Sequence, residues 1–438
     1  MAPEAAAGPA PATPSPRQFV SGQLKLLPWA VLIGVGSSAV LLGISKLEEL
    51  VHHLLWQHLP DWLDISPDSG GWIIAVLTAI GLAVGLVVRY APGHGGPDPA
   101  TEGLVAPPMT PLMLPGLLLA TVLALGGGVS LGPENPITAA NIALAWWFGS
   151  RVLKNKDVEL WVALGAAGTI GAMFGTPVAA ALIFSETLTR RAGVSLWDQL
   201  LAPLAAGAAG SLTTTLIAAP SLSVTVPPYR GFELVDLVSG TVIVLVATGL
   251  GIAGAYAFPA LHKWFQSLRN PVLALTAGGL LLGVLGAIGG EITLFKGLDQ
   301  MRELVAGLDG FSNAKLLLYA VVKLAALILA ATCGFRGGRI FPSAFVGVAL
   351  GCLAHGLVPG IPLGLAIGAG VLGMVLAVTR QGWLSLFLGV VIVGDLSLLP
   401  VLCVLVVPGW LLCFGRPPML ITRPAAPLPP TRALPATD

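Results

Sequence analysis

Polar positions along this chain are so sparse that the hydrophobic pattern reads as a series of spans rather than as amphipathic faces. Apolar runs long enough to cross a bilayer recur around residues 27–46, 71–90, 111–131, 160–185, 199–219, 235–259, 272–289, 314–333, 340–358, 361–379 and 384–414. The last has room for two segments, so the pattern predicts roughly ten to fourteen helices, some too short to cross alone. Two runs are interrupted in the same way. Gly132-Pro133-Glu134-Asn135-Pro136 lies near the end of one, and Gly338-Arg339-Ile340-Phe341-Pro342 lies 206 residues later near the start of another. Each follows a glycine-rich apolar stretch and precedes small and apolar residues. Such a Gly-to-Pro pentad suits a backbone break where one helix stops and the next begins with proline in its first turn. Within a bilayer, breaks of this kind are tolerated only where protein buries them or they line a cavity, so a repeated pair points to an ion or substrate site.

The same offset places Gly175-Thr176-Pro177 opposite Gln381-Gly382-Trp383, each opening a further apolar run. This predicts two halves, about 27–220 and 230–415, joined by a connector from Ser221 to Glu233 that carries Pro227-Pro228. With an odd number of crossings in each half, the halves are inverted and their broken helices meet near the midplane. The expected fold is an all-α polytopic membrane bundle.

Composition agrees. Of 438 residues, 55% are hydrophobic and 10% charged, and the mean hydropathy of +0.88 is beyond what a soluble chain of this length can cover with polar surface. The 56 glycines suit close helix packing. A net charge of +1 gives no electrostatic case for a nucleic-acid partner. The four cysteines, Cys333, Cys352, Cys403 and Cys413, lie in apolar runs without C-x-x-C spacing and read as packed thiols, with no metal site or disulfide framework. Residues 1–26 and the Pro-rich 416–438 read as disordered tails. Basic residues cluster at Arg17 and Lys25, at Arg151, Lys154 and Lys156, at Arg190 and Arg191, and at Arg416 and Arg423, which assigns those segments and both termini to the cytoplasmic side of the plasma membrane and the number of crossings as even.

Acidic residues in or beside the apolar runs are few: Glu134, Glu186, Glu291 and Asp395, with Glu48 and Glu49 near an end. Glu134 stands apart because it lies inside a break. It reads either as a carboxylate capping a helix that starts at Pro136 or as part of a helix-start anion site. A carboxylate on a hinge there competes with a mobile anion, and protonation releases it, so gating follows from competition. Gly93-His94-Gly95-Gly96-Pro97-Asp98-Pro99 is a loop pattern that can also start a helix and present its amides. The side chain of Arg339 can draw anions into a vestibule or pair with Glu186 or Asp395, and Arg336 adds to a positive cytoplasmic funnel.

These motifs, in this order over roughly residues 30–420, resemble the CLC family of chloride channels and proton-coupled chloride antiporters, in a form without cytoplasmic regulatory domains. Gly95-Gly96-Pro97-Asp98-Pro99 stands where the family has G-S-G-I-P, and Gly132-Pro133-Glu134-Asn135-Pro136 where it has G-[RK]-E-G-P. Gly338-Arg339-Ile340-Phe341-Pro342 is similar to its G-x-F-x-P, and Thr176-Pro177 to its A-P-L-A-G helix start. The resemblance implies a homodimer with one anion pore per subunit, a gating glutamate at Glu134, and anion-binding backbone at Gly95, Gly96, Asn135, Arg339 and Ile340, with no cofactor. It also marks departures. The pore serine aligns with Gly96 and the pore tyrosine with Met419; Pro133 and Asn135 flank the glutamate in place of a basic residue and a glycine. The antiporters' internal proton glutamate aligns with Thr187, beside Glu186, which leaves these two as the residues of any proton path. Losing two hydroxyl donors implies weaker anion binding, since hydrogen bonds to charged groups are each worth about 1.5–3 kcal/mol.

The expected function is therefore transport of chloride or a similar small inorganic anion across the lipid bilayer, with protons as a further partner left open. The alternatives are a different inverted-repeat carrier of a small organic anion and a non-transporting homologue. An intramembrane enzyme is disfavoured: His52-His53 closes a span, His355 is isolated, and no H-E-x-x-H occurs.

Overall fold

The structure is a computed structural model describing residues 16–187, 194–218 and 221–421. Among these residues the chain forms sixteen α-helices and no β-strand. The first half contains α1 (Pro16–His53), α2 (Leu59–Leu63), α3 (Gly70–Tyr90), α4 (Leu114–Gly126), α5 (Glu134–Trp147), α6 (Val158–Phe174), α7 (Pro177–Thr187) and α8 (Leu196–Ala218). The second contains α9 (Leu234–Ser267), α10 (Pro271–Gly289), α11 (Leu298–Ala306), α12 (Asn313–Cys333), α13 (Ile340–Leu357), α14 (Leu363–Thr379), α15 (Gly382–Val393) and α16 (Leu399–Cys413). Eight helical segments among the described residues are long and apolar enough to cross a membrane, and five apolar helices are shorter.

Local chemistry sets the boundaries. Ser69, Asp157, Asn270 and Ser312 cap α3, α6, α10 and α12 by accepting backbone N–H bonds of the first turn, and Glu233 with Asp236 forms a reciprocal capping box on α9. Gly175, Gly334 and Gly394 end α6, α12 and α15 in the left-handed conformation. The apolar run over 160–185 is therefore two helices, broken at Gly175 where the Thr176-Pro177 motif marked a helix start. At 11 and 12 residues, α7 and α15 reach about 17 Å, roughly half the hydrocarbon thickness, and must end inside the protein.

Two expected boundaries move. The helix α1 begins at Pro16, inside the segment read as a tail up to residue 26; Pro16 opens it, the following Gln, Leu and Lys residues favour helix, and Gln23 donates to the carbonyl of Asp198 on α8. At the other end residues 416–421 pack on the bundle, with the Met419 N–H on Val378 O and the Ile421 N–H on Ala100 O. Arg190, Arg191 and Arg423 lie outside the described residues.

The 206-residue repeat is a repeat of structure: α5 through α7 (134–187) match α13 through α15 (340–393). Apolar spans cannot be held together by excluding water within lipid, so close backbone approach does the work. A Cβ at Gly279 of α10 would overlap Leu77 O of α3, one at Gly171 of α6 would overlap Gly207 of α8, and one at Gly370 of α14 would overlap Gly347 of α13. One antiparallel bridge also joins the halves, in which Gly132 N donates to Gly338 O at 2.9 Å and Gly338 N to Gly132 O at 2.6 Å. These two glycines are themselves 206 residues apart. A residue pairing reciprocally with its own repeat mate is what a two-fold axis produces, so the halves are inverted about a point beside Glu134.

Candidate functional site

Both pentads are breaks, as the sequence predicts. Pro133 is the N-cap of α5 and Arg339 that of α13, so the two helices start side by side across the glycine bridge. The helix α5 starts at Glu134, not at Pro136, and the Glu134 carboxylate caps the other helix. Its Oε1 accepts the Ile340 N–H at 2.5 Å, and the N–H groups of Phe341 and of Glu134 itself also face it. The Glu134 side chain is fully buried, and its Oε2 has no hydrogen-bond partner. A buried charge survives only with strong compensation; here two positive helix ends converge on it, with the guanidinium of Arg339 near enough to act electrostatically. Side chains at Gly132 or Gly338 are excluded, because a Cβ on either would overlap the carboxylate. Below it, Phe174 of α6 packs between Phe341 and Phe387, with centroids 5.9 and 5.8 Å away, which ties α6, α13 and α15 together.

Among the described residues neither Arg336 nor Arg339 forms an ion pair with an acid. Arg339 donates to Pro99 O at 3.3 Å and Glu102 O at 2.8 Å, away from both Glu186 and Asp395, and it lies over the Phe258 ring. Arg336 donates to His94 O at 2.9 Å and Gly96 O at 3.2 Å. Both are buried and clamp the loop 92–104 against the start of α13. Asn135 serves the same loop, donating to Glu102 O at 3.3 Å. That loop forms two short 3-10 turns, Pro92–Gly95 and Pro99–Thr101, and no α-helix starts there until Leu114. Gly95 and Gly96 hold φ of +64° and +81°, and Pro97, Pro99, Pro107 and Pro108 withhold N–H donors, so the stretch is a loop, as its pattern reads, and the alternative of a helix start does not form. The Gly96 N–H is taken by Gly93 O.

Glu186 and Thr187 stand apart from Glu134. Glu186 Oε1 accepts the Gly382 N–H at 2.9 Å, capping α15, and Thr187 Oγ1 donates to Ile183 O within α7. Asp395 accepts from Tyr229 N and from Ser397. Met419, where a tyrosine was the point of comparison, is fully buried beside α9 and brings no hydroxyl. Of the cysteines, Cys333, Cys352 and Cys413 are buried and Cys403 is exposed; all are free. A cavity of about 90 Å³ lies against the start of α13, lined by Asn135, Arg339, Ile340, Thr379, Gln381 and Leu420.

Sequence reasoning passed over Lys323. It is fully buried in α12, and its Nζ donates to the carbonyls of Thr293, Leu294 and Phe295 at 3.1, 2.6 and 2.8 Å. A lone lysine in an apolar run was the available signal.

Comparison with known proteins bears on the whole chain. Two relatives named "Putative ion-transport protein YfeO", from Escherichia coli (strain K12 / DH10B) and Shigella boydii serotype 18, are each 51% identical over 395 residues, covering 90% of this chain and 94% of theirs. Among solved structures, a slow cyanobacterial Cl-/H+ antiporter superposes with a TM-score of 0.77 at 16% identity, covering 90% of this chain and 96% of that one. A CLC-type fluoride/proton antiporter does so with a TM-score of 0.74 at 20% identity, covering 92% and 97%. At such identities these two speak to the fold. The family model described as "Voltage gated chloride channel" matches residues 74–412, so with two inverted halves, broken helices meeting at Glu134 and this match, the chain belongs to the CLC family of anion transporters.

Proposed function

We propose that the protein moves chloride or a similar small inorganic anion through one pore in each subunit of a homodimer, with Glu134 as the gate. One observation carries the reading: the Glu134 carboxylate occupies the amide of Ile340, where two helix starts make a site for an anion. A mobile anion and the carboxylate compete for that amide. Protonation removes the carboxylate's charge and favours the anion. The adjoining cavity of about 90 Å³ is the chamber from which the anion reaches Ile340, with the buried guanidinium of Arg339 in its wall. Both termini are cytoplasmic in the plasma membrane, so α1 ends on the outer side and the loop 92–104 lies on the inner side. Glu186 is held by α15, and Thr187 bonds within its own helix, which supports gating by protons without obligatory proton exchange.

Reconstitution into liposomes with chloride efflux and proton movement recorded together tests the reading. Chloride flux with no stoichiometric proton movement is expected. Coupled movement overturns the absence of exchange, and no flux of any small inorganic anion overturns the function.

A further inference from the structure

The largest cavity described, about 390 Å³, lies at the end of α1 and is lined by Glu48, His52, Gly126, Phe295, Lys296 and Gln300 among others. Glu48 is only 7% exposed, and its Oε1 has no hydrogen-bond partner. Gln300 Oε1 on α11 is also buried without one. Two partnerless acceptors around one cavity call for a donor, because a buried acceptor left alone costs about 1–3 kcal/mol. Among the described residues no group of three His, Cys, Asp or Glu is placed to hold a metal ion. The donor that fits a single buried carboxylate is a proton.

The cavity is joined to the gate by the chain itself. Gly126, in its wall, opens the segment 127–133 that delivers Glu134, and it packs so closely on Glu48 that a Cβ there would meet Glu48 O. Phe295, also in the wall, donates its N–H to Gly128 O at 3.0 Å in that segment, and its ring packs against Trp56 at 5.3 Å. Three further buried polar atoms without partners lie on Trp56, which packs on Phe295, on Ser130 within that segment, and on Glu134 itself: Trp56 Nε1, Ser130 Oγ and Glu134 Oε2. The charged and titratable groups around the cavity are Glu49 and His52 on α1, with Lys46 and His53 beside Glu49, Lys296 in the loop before α11, and Asp299 on α11 with its partner Arg302; α4 contributes Leu125 and Gly126. Lys46 and Glu49 pair at 2.6 Å, and Asp299 and Arg302 at 2.8 Å. Lys296 is the cation that acts on Glu48.

We propose that Glu48 binds a proton from the outer solution and passes it to Glu134, making this cavity the proton inlet of the gate. The proton arrives on a Glu48 oxygen and leaves it as carboxylate; each hydroxyl or water between, Ser130 Oγ among them, takes one proton and releases one, so the net change is one O–H lost at Glu48 and one gained at Glu134 Oε2. The inference rests on Glu134 being the gate, and two readouts separate the two ideas. Infrared difference spectroscopy of the purified Glu134→Gln protein, between neutral and acid pH, should show the carbonyl stretch of a protonated carboxylic acid that Glu48→Gln removes. A spectrum unchanged by that substitution overturns the proton site whether or not the protein transports anions. In liposomes, Glu48→Gln should abolish the rise in anion flux on external acidification and add nothing in a Glu134→Gln background. Lys296→Met should move the external-pH dependence to higher pH, and it keeps the test open if the Glu48 variant does not fold. Wild-type pH dependence in both variants, or an additive effect with Glu134→Gln, overturns the relay.

Discussion

Removing the Glu134 carboxylate tests competition for one amide. The contact to be lost is the charge-assisted bond from Ile340 N to Glu134 Oε1 at 2.5 Å, inside a fully buried site. Bonds of this kind are worth about 1.5–3 kcal/mol, and each ~1.4 kcal/mol is a factor of ten. An anion that must displace the carboxylate therefore binds roughly ten- to a hundredfold more weakly than it would to the vacated amide. Glu134→Ala should tighten chloride binding by that factor. Glu134→Gln keeps a neutral acceptor worth about 1 kcal/mol, so its gain should be smaller, roughly two- to thirtyfold. Calorimetric titration of chloride into detergent-solubilised protein measures both, and liposome flux supplies the second reading. In the wild type, flux should rise as pH falls, because the neutral acid competes poorly; in both variants it should be flat with pH. Chloride affinity equal to that of the wild type in both variants would refute the competition.

The other predictions concern the surroundings of the proposed gate and one acidic pair away from it. Gly338→Ala places a Cβ on the Glu134 carboxylate and should force it off Ile340, raising flux at neutral pH as Glu134→Gln does; an unchanged pH response would count against the close fit. Arg339→Met loses two bonds to loop carbonyls and leaves Pro99 O and Glu102 O without their guanidinium, a loss of about 3 kcal/mol that should lower the thermal unfolding midpoint; Arg339→Lys should recover less than half, since an ammonium lacks the fork that bridges both carbonyls. In the turn after α10, partial burial and the carboxyl of Asp68 push Glu291 up to about 7. Its contribution to stability is present below its ordinary value of 4.5 and is lost as pH rises through about 7. Asp68→Asn should shrink the fall in thermal midpoint between acid and mildly alkaline pH, and an undiminished fall would remove the pair as its source.

What the sequence made legible is what glycine, proline and isolated charge encode. Both pentads announced breaks because few other residue patterns stop one helix and start another inside an apolar run, and Glu134 stood out because carboxylates in such runs are rare. The break at Gly175 was legible only through the repeat and the Thr176-Pro177 start, because hydropathy alone runs through it from 160 to 185 and merges α6 with α7. Arg339 in the second pentad and Arg336 just before it were visible, but not their partners. Arg336 and Arg339 bind carbonyls of a loop whose turns follow no hydrophobic period, and a side chain's target there depends on a fold that only the tertiary structure sets. The buried Lys323 escaped for the same reason: its partners are three backbone carbonyls, which every residue possesses.

The repeat explains why the two pentads had to diverge. Glu134 and Ile340 occupy equivalent positions, 206 residues apart, so the carboxylate of one half is bound by the amide of its own repeat mate. Near a two-fold axis an acid in both halves would bring two carboxylates to one small site, where like charges resist being ionised together. An acid in neither half would leave the amides permanently open. One acid facing one apolar residue is the arrangement in which a symmetric scaffold provides a pair of helix starts and an asymmetric side chain closes them. The glycine bridge beside it is symmetric because backbone alone fits there, and the Glu134–Ile340 contact is asymmetric because only one side chain can fill it.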